Sequence, residues 1–273
     1  MSERAVLFGA HNGLVGVITE PDGDMAQRDV AVIMSNIGMH HHVGPFRLYV
    51  DLARALASTG VSVLRFDLGG LGDSLPRHDA PTPAERSARD LDDAMALLTD
   101  TVGAKKFIVI GLCSGVDSSH AAAKRDARVI GGAFVDGYSY KTVGHYFRWY
   151  VLRPLQWARW RRYFERRRNA RYATRSQEEG MAIYEMDFPT REQFREDVTA
   201  LTRRGVRLLL VFSGGTESRV SSPRQVREML GPVADSRTIE VEAMYGADHV
   251  FGNVERRGEL VRRIQRWVAS LGN

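Results

Sequence analysis

Short apolar runs alternate with amphipathic segments along most of the chain, and this alternation restricts its fold more than any other feature. The runs are rich in Val, Ile and Leu, as are strands that a parallel sheet buries on both faces. They are DVAVIMSN (29–36), VSVLRFDL (61–68), KFIVIG (106–111), VIGGAFVD (129–136), VRLLLVFSG (206–214) and RTIEVEAM (237–244). The pattern predicts an α/β fold with a mostly parallel, doubly wound sheet.

Two further features complete this sheet and its cover. Residues 5–10 and 13–19 are short apolar runs separated by His-Asn, which predicts an opening hairpin. Apolar residues recur at helical spacing in four longer segments, where we expect amphipathic helices. These segments are 46–60, 84–103, 222–230 and 254–270.

The alternation breaks between about residues 138 and 204, in a segment that is typical of helices without a strand between them. We therefore predict a core in two parts, 1–137 and 205–273, and a helical cap or lid, 138–204, inserted between them. Trp149 and Trp157 of this cap are candidate substrate contacts, since aromatic area can enclose a substrate and exclude water. Eight arginines between Arg159 and Arg175 suit an anionic partner, a membrane surface or simply a solvated basic face.

The run that ends at Gly111 leads into Gly-Leu-Cys-Ser-Gly, with Cys113, the only cysteine, at its centre. In a Gly-x-nucleophile-x-Gly turn between a strand and a helix, the central residue has strained backbone, and the flanking glycines allow close approach of the chain. The alternative is a small thiol buried in the core. We favour a nucleophile because candidate partners follow in the order that this motif requires.

His249 is the candidate general base, since it lies in a loop after the last strand. Glu217, after the strand that ends near residue 214, is the candidate acid that orients it. The order along the chain is then nucleophile, acid, base. Asp136, at the end of the preceding strand, is the alternative acid, and Asp248 is expected to brace the loop of His249.

An oxyanion hole needs two backbone N–H donors near the nucleophile. The amide of Ser114, directly after Cys113, is the first candidate. The second is expected from the loop after the third strand, where Gly38 permits a close backbone approach and Ile37 is the alternative.

Three consecutive histidines, His40, His41 and His42, follow in the same loop. Consecutive residues rarely direct three ligands at one ion, and no cysteine or carboxylate cluster accompanies them in the sequence. No metal is therefore expected, and His40 is taken instead as a candidate substrate contact.

These motifs resemble those of α/β-hydrolases of the serine aminopeptidase-like group. The similarity is carried by residues 36–74, GLCSG, SGGTE and GADHVF, and is greatest to hydrolases that accompany exosortase and exopolysaccharide loci. Most of that superfamily has serine where this chain has Cys113, whereas dienelactone hydrolases and polyhydroxyalkanoate synthases are relatives with cysteine there. The resemblance implies an α/β-hydrolase fold with a helical cap, and acyl transfer through a thioester on Cys113.

Three functions remain open on this basis. The first is a hydrolase or thioesterase acting on an ester or thioester, with the acyl group free or carried on coenzyme A or an acyl carrier protein. The second is an acyltransferase or cyclase that passes the acyl group to an alcohol or amine, and the third is a hydrolase fold used only for binding. None of the three requires a cofactor. Nucleic acid is not an expected partner despite the net charge of +5, because no reading motif accompanies the basic run.

The expected compartment is the cytoplasm. A single cysteine cannot form an internal disulfide, which suits a reducing environment. The first residues, MSERAVLFGAHNG, lack the basic start and the long apolar core of a signal peptide.

Overall fold

The computed structural model describes residues 1–23, 28–147, 188–214, 220 and 222–271. In this part of the chain, eight strands form one sheet in the order β1-β2-β4-β3-β5-β6-β7-β8. The strands are β1 Ser2–Phe8, β2 Leu14–Glu20, β3 Val30–Ser35, β4 Ser62–Phe66, β5 Lys106–Leu112, β6 Val129–Val135, β7 Arg207–Ser213 and β8 Ile239–Met244. Only the pairs β1–β2 and β2–β4 are antiparallel, so the predicted α/β fold with a mostly parallel sheet is confirmed.

Helices cover both faces of the sheet. They are α1 Leu48–Ala57, α2 Pro83–Val102, α3 Gly115–Arg125, α4 Val143–Phe147, α5 Arg191–Arg203, α6 Pro223–Leu230 and α7 Val254–Ser270. Most lie within a few residues of the expected segments. The first helix begins later than expected, because Phe46 and Arg47 adopt positive φ in a short 3-10 turn before it.

The two sides of each central strand contribute to different hydrophobic cores. In β5, Phe107 and Val109 pack into the core beneath α2, α3, α5 and α6, whereas Ile108 and Ile110 pack into the core beneath α1 and α7. This alternation follows from the two-residue period of a strand. It explains why the runs are apolar at nearly every position.

The expected cap lies mostly outside the described residues. Its two described ends contain α4 and α5, and the division into core and cap stays a prediction. Thr190 caps α5 through its hydroxyl, which accepts a hydrogen bond from the amide of Gln193. Among the described helices, none is both long enough and apolar enough to cross a bilayer.

A very close backbone contact lies where β5 turns into α3. A Cβ atom on Gly111 would lie 2.4 Å from the carbonyl oxygen of Gly115 and 2.7 Å from the Cα of Val116. Both contacts are with backbone, which cannot rotate away. Glycine at 111 is therefore what allows α3 to start directly over the end of β5.

We expect Gly111→Ala to lower the free energy of unfolding by about 2 kcal/mol or more, because the new methyl group overpacks a backbone contact. Urea unfolding followed by circular dichroism measures this change. Gly23→Ala is the matched control, since a Cβ atom there has no heavy atom within 4 Å. Equal stability of the two variants would contradict the proposed role of Gly111.

Candidate active site

The carboxyl ends of β5, β6 and β8 bring Cys113, Asp136 and His249 together. Nδ1 of His249 lies 2.9 Å from Oδ2 of Asp136, and the side chain of Cys113 is the second neighbour that interacts with the imidazole. Parallel strands present their carboxyl ends at one edge of a sheet, which is where ligand sites of this architecture form. A thiol, an imidazole and a carboxylate therefore lie in one contact series.

Cys113 occupies the turn predicted for it. Its φ is +52°, in the left-handed region that residues with a Cβ rarely adopt, and its amide donates to the carbonyl oxygen of Val135 on the neighbouring strand. The thiol is only partly buried. The strained turn lifts the sulfur out of the sheet at the N-terminal end of α3, whose amide dipoles favour an anion.

Asp136 is the carboxylate of the series, and its side chain is fully buried. Oδ1 accepts a hydrogen bond from the amide of Ser213 at 2.6 Å, and Oδ2 accepts from the Ser213 hydroxyl at 2.5 Å. The backbone of Asp136 also has a positive φ of +50°. These contacts hold the carboxylate at the end of β6, against the end of β7 and facing His249.

The acid that contacts the imidazole is thus the alternative candidate of the sequence analysis. Glu217, the first candidate, lies outside the described residues, and so do Trp149 and Trp157. Ser213 was missed, because a serine at the end of an apolar run carries no signal of contact with an acid more than seventy residues earlier.

The neighbours of His249 strongly favour its protonated form. The hydrogen bond with Asp136, followed by the interaction with Cys113, raises the pKa of His249 to about 10, although burial acts in the opposite direction. The arrangement favours an imidazolium beside the side chain of Cys113.

The loop of His249 is held by its own neighbours. Oδ1 of Asp248 accepts hydrogen bonds from the amides of Val250 and Gly252, both at 3.0 Å. The side chain of Phe251 is fully buried in the core beneath α1 and α7. Asp248 therefore braces this loop, as expected, and in the described residues its carboxylate has no hydrogen bond with the imidazole.

The loop after β3 lies against the turn at Cys113. The amide of Gly38 donates to Oγ of Ser114 at 2.7 Å, and the side-chain amide of Asn36 donates to the carbonyl oxygen of Gly38 at 2.7 Å. The Gly38 amide is thus engaged by the Ser114 hydroxyl in this structure, and its role as an oxyanion donor stays a prediction. Within the described residues, the amide of Ser114 has no hydrogen-bond acceptor, whereas Ile37 forms an isolated antiparallel bridge with His40.

His40 does not join this site through its side chain in the described residues. It is exposed, and its amide closes a tight turn by donating to the carbonyl oxygen of Ile37 at 2.8 Å. Its assignment as a substrate contact stays a prediction.

Comparison with known proteins agrees with this architecture. A family model described as the alpha/beta hydrolase family matches residues 38–263. A search of curated proteins gives no significant match.

Solved structures share the fold over nearly the whole chain. An alpha-beta serine hydrolase homologue from Coxiella burnetii is 19% identical, with 98% of each chain covered and a TM-score of 0.59. The esterase domain of a Rhodothermus marinus protein is 16% identical, covering 98% of this chain and 99% of that one, with a TM-score of 0.60. Proline iminopeptidase from Mycobacterium smegmatis is 14% identical, with 99% of each chain covered and a TM-score of 0.60.

The raised pKa of His249 predicts how stability changes with pH. Native His249 keeps its proton up to about pH 10, whereas the unfolded residue loses it near 6.5. Over this window His249 makes the free energy of unfolding fall as pH rises, by at most about 1.4 kcal/mol per pH unit. We expect Asp136→Asn to flatten the profile, since it removes the main cause of the shift.

Urea unfolding of both proteins at a series of pH values measures this difference. The exposed Asp100 provides the matched control, because Asp100→Asn makes the same chemical change far from the imidazole. Identical slopes for the wild type and Asp136→Asn would exclude the charge coupling.

Proposed function

The chain belongs to the alpha/beta hydrolase family, and we propose that it is an acyl-transfer enzyme, hydrolase-like or thioesterase-like, that acts through a thioester on Cys113. His249 is the proton carrier, and Asp136 orients it. The observation that carries the proposal is the contact series from the buried Asp136 through His249 to Cys113. A buried carboxylate, an imidazole and a thiol on a strained strand-to-helix turn are the parts of an activated nucleophile.

In the first half of the reaction, the sulfur of Cys113 attacks the carbonyl carbon of an ester or thioester. The thiol proton resides on His249, and the carbonyl oxygen becomes an oxyanion. As the tetrahedral intermediate collapses, the bond to the leaving group breaks and His249 gives that group its proton. The enzyme now holds the acyl group as a thioester, and His249 is neutral.

In the second half, neutral His249 takes a proton from the acceptor, which attacks the thioester carbonyl. The carbon–sulfur bond breaks, and the proton returns to the Cys113–His249 pair. With water as acceptor the product is a carboxylic acid. With an alcohol or amine it is an ester or amide, the acyltransferase or cyclase alternative, which Cys113 keeps open because a thioester is reactive toward such nucleophiles.

The amides of Ser114 and Ile37 are the proposed oxyanion donors: Ser114 has no other acceptor in the described residues, and Ile37 precedes Gly38 in the loop that contacts the turn at Cys113. Gly38 then has a supporting role: its bond to the Ser114 hydroxyl joins the loop after β3 to the nucleophile turn. The sequence analysis favoured Gly38 as the direct donor. The engagement of its amide is the reason for the change.

The proposed substrate site extends from this turn toward the cap, residues 138–204, with Trp149, Trp157 and His40 as candidate contacts. The arginines between Arg159 and Arg175 favour an acyl group on an anionic carrier, coenzyme A or an acyl carrier protein. Contact of the cap with a membrane surface is the other use of this basic, aromatic segment.

Intact-protein mass spectrometry tests the nucleophile. The protein is incubated with a panel of acyl-coenzyme A thioesters and p-nitrophenyl esters, and we expect an acyl adduct on Cys113. Cys113→Ala should remove the adduct and lower turnover by about a thousandfold or more, since the covalent step is lost. Full turnover by Cys113→Ala, or an adduct on another residue, would overturn the proposal.

Product analysis of the same reactions separates the alternatives. Free acid in the presence of competing alcohols and amines indicates a hydrolase, whereas ester or amide products indicate an acyltransferase. Thiol alkylation by iodoacetamide tests the binding alternative. A Cys113 that neither forms an adduct nor alkylates faster than a free thiol would favour a hydrolase fold used only for binding.

A further inference from the structure

Four side chains outside the proposed catalytic series meet beside the loop after β3. His41 and His42 come from that loop, and Asp67 and Asp73 follow β4; we call these four residues the His-Asp cluster. Each offers one ligand atom, and all four atoms lie within 4.8 Å of one another. Segments that are far apart in sequence therefore converge at one point.

The individual distances show how tightly the cluster is built. Nδ1 of His42 lies 2.8 Å from Oδ2 of Asp67, and Nε2 of His41 lies 2.6 Å from Oδ2 of Asp73. Nε2 of His41 also lies 3.7 Å from Oδ2 of Asp67, which joins the two pairs. The two imidazole rings face each other with centroids 3.7 Å apart, so both histidines turn to the same side of the loop.

Burial divides the cluster into two parts: we call the buried pair, His42 and Asp67, its floor, and the exposed pair, His41 and Asp73, its mouth. The side chains of His42 and Asp67 are 6% and 0% exposed, whereas those of His41 and Asp73 are 40% and 61% exposed. The floor is rigid, because Asp67 also accepts hydrogen bonds from the amides of His42 and Asp73. The mouth gives an ion a path from solvent.

We propose that the His-Asp cluster is a binding site for a divalent transition metal, with Zn²⁺ as the fitting ion. Two imidazole nitrogens and two carboxylate oxygens are a donor set that Zn²⁺ accepts in tetrahedral geometry. Mg²⁺ and Ca²⁺ prefer oxygen ligands, so the two imidazoles select against them. To bind the ion, each ring nitrogen that now faces a carboxylate must present its lone pair instead of a hydrogen.

The sequence argument against a metal at this loop was wrong in its premise. It held that no carboxylates accompany the histidines, but the fold brings Asp67 and Asp73 to them from the end of β4 and the loop after it. His40, the first histidine of the three, takes no part in the cluster. The ligands are two adjacent histidines, not three.

A metal at this site would cross-link two segments, the first of which contacts the turn at Cys113 through Gly38 and Ser114. One is the loop 36–44, which carries Ile37 and Gly38, and the other is the segment 67–74. Without the metal the same segments are joined by direct contacts, such as the hydrogen bond from the Leu68 amide to Oδ1 of Asn36 at 3.1 Å. The proposed role of the ion is structural, and it does not depend on the proposed function of Cys113.

Zinc binding by the full chain tests this proposal. The purified protein is treated with a chelator, dialysed and titrated with ZnCl₂ by calorimetry, and Tm is measured with and without the metal. We expect one Zn²⁺ per chain and a higher Tm in its presence, since a ligand that binds only the folded state stabilises it. His41→Ala and Asp73→Asn should each weaken binding by about tenfold or more and reduce the rise in Tm.

The exposed ligands are chosen because their substitution leaves the buried floor intact. His40→Ala is the matched control, a histidine in the same loop but outside the cluster, and it should bind Zn²⁺ like the wild type. The proposal fails if the wild type binds no more Zn²⁺ than His41→Ala, or if His40→Ala weakens binding equally. Binding of Mg²⁺ with the affinity of Zn²⁺ would overturn the assignment to a transition metal.

Discussion

The buried carboxylate of Asp136 is the constraint on which the site depends. A charge removed from water is costly unless hydrogen bonds compensate it, and here Ser213 and His249 supply them. Asp136 follows β6, Ser213 is the last residue of β7, and His249 lies in the loop after β8. The hydrogen bonds of one side chain therefore connect the ends of three neighbouring strands at this edge of the sheet. The hydrogen bond with Asp136 orients the imidazole and is also the main reason for the raised pKa of His249.

The fold could be predicted from the sequence because its signals are local. Strands buried on both faces are apolar at nearly every position, and the turn around Cys113 needs glycine at Gly111, where any Cβ would strike backbone. The meeting of Cys113 and His249 at one edge of the sheet could be predicted because each lies in a short motif after a strand. The expected cap, residues 138–204, lacks this alternation of apolar runs and amphipathic segments, and its extent stays a prediction.

The contacts that the sequence could not give are those between distant segments. Asp136 and Glu217 both follow strands at the same edge, so order along the chain could not choose between them. Gly38 has the right residue type for an oxyanion donor, but only the approach of Ser114 shows that its amide is engaged. His41 and His42 likewise gain their carboxylate partners through β4, whose end lies beside their loop.

The turn at Cys113 holds its residue through backbone, with a positive φ and an amide bonded to β6, while the side chain is only partly buried. Packing around this side chain therefore does little to select sulfur over oxygen as its terminal atom. Sulfur and oxygen form acyl compounds of different reactivity, because transfer of an acyl group from a thioester releases more free energy than transfer from an oxygen ester. Under the proposed function, exchanging this single atom would change the driving force of the second half-reaction while the fold stays the same.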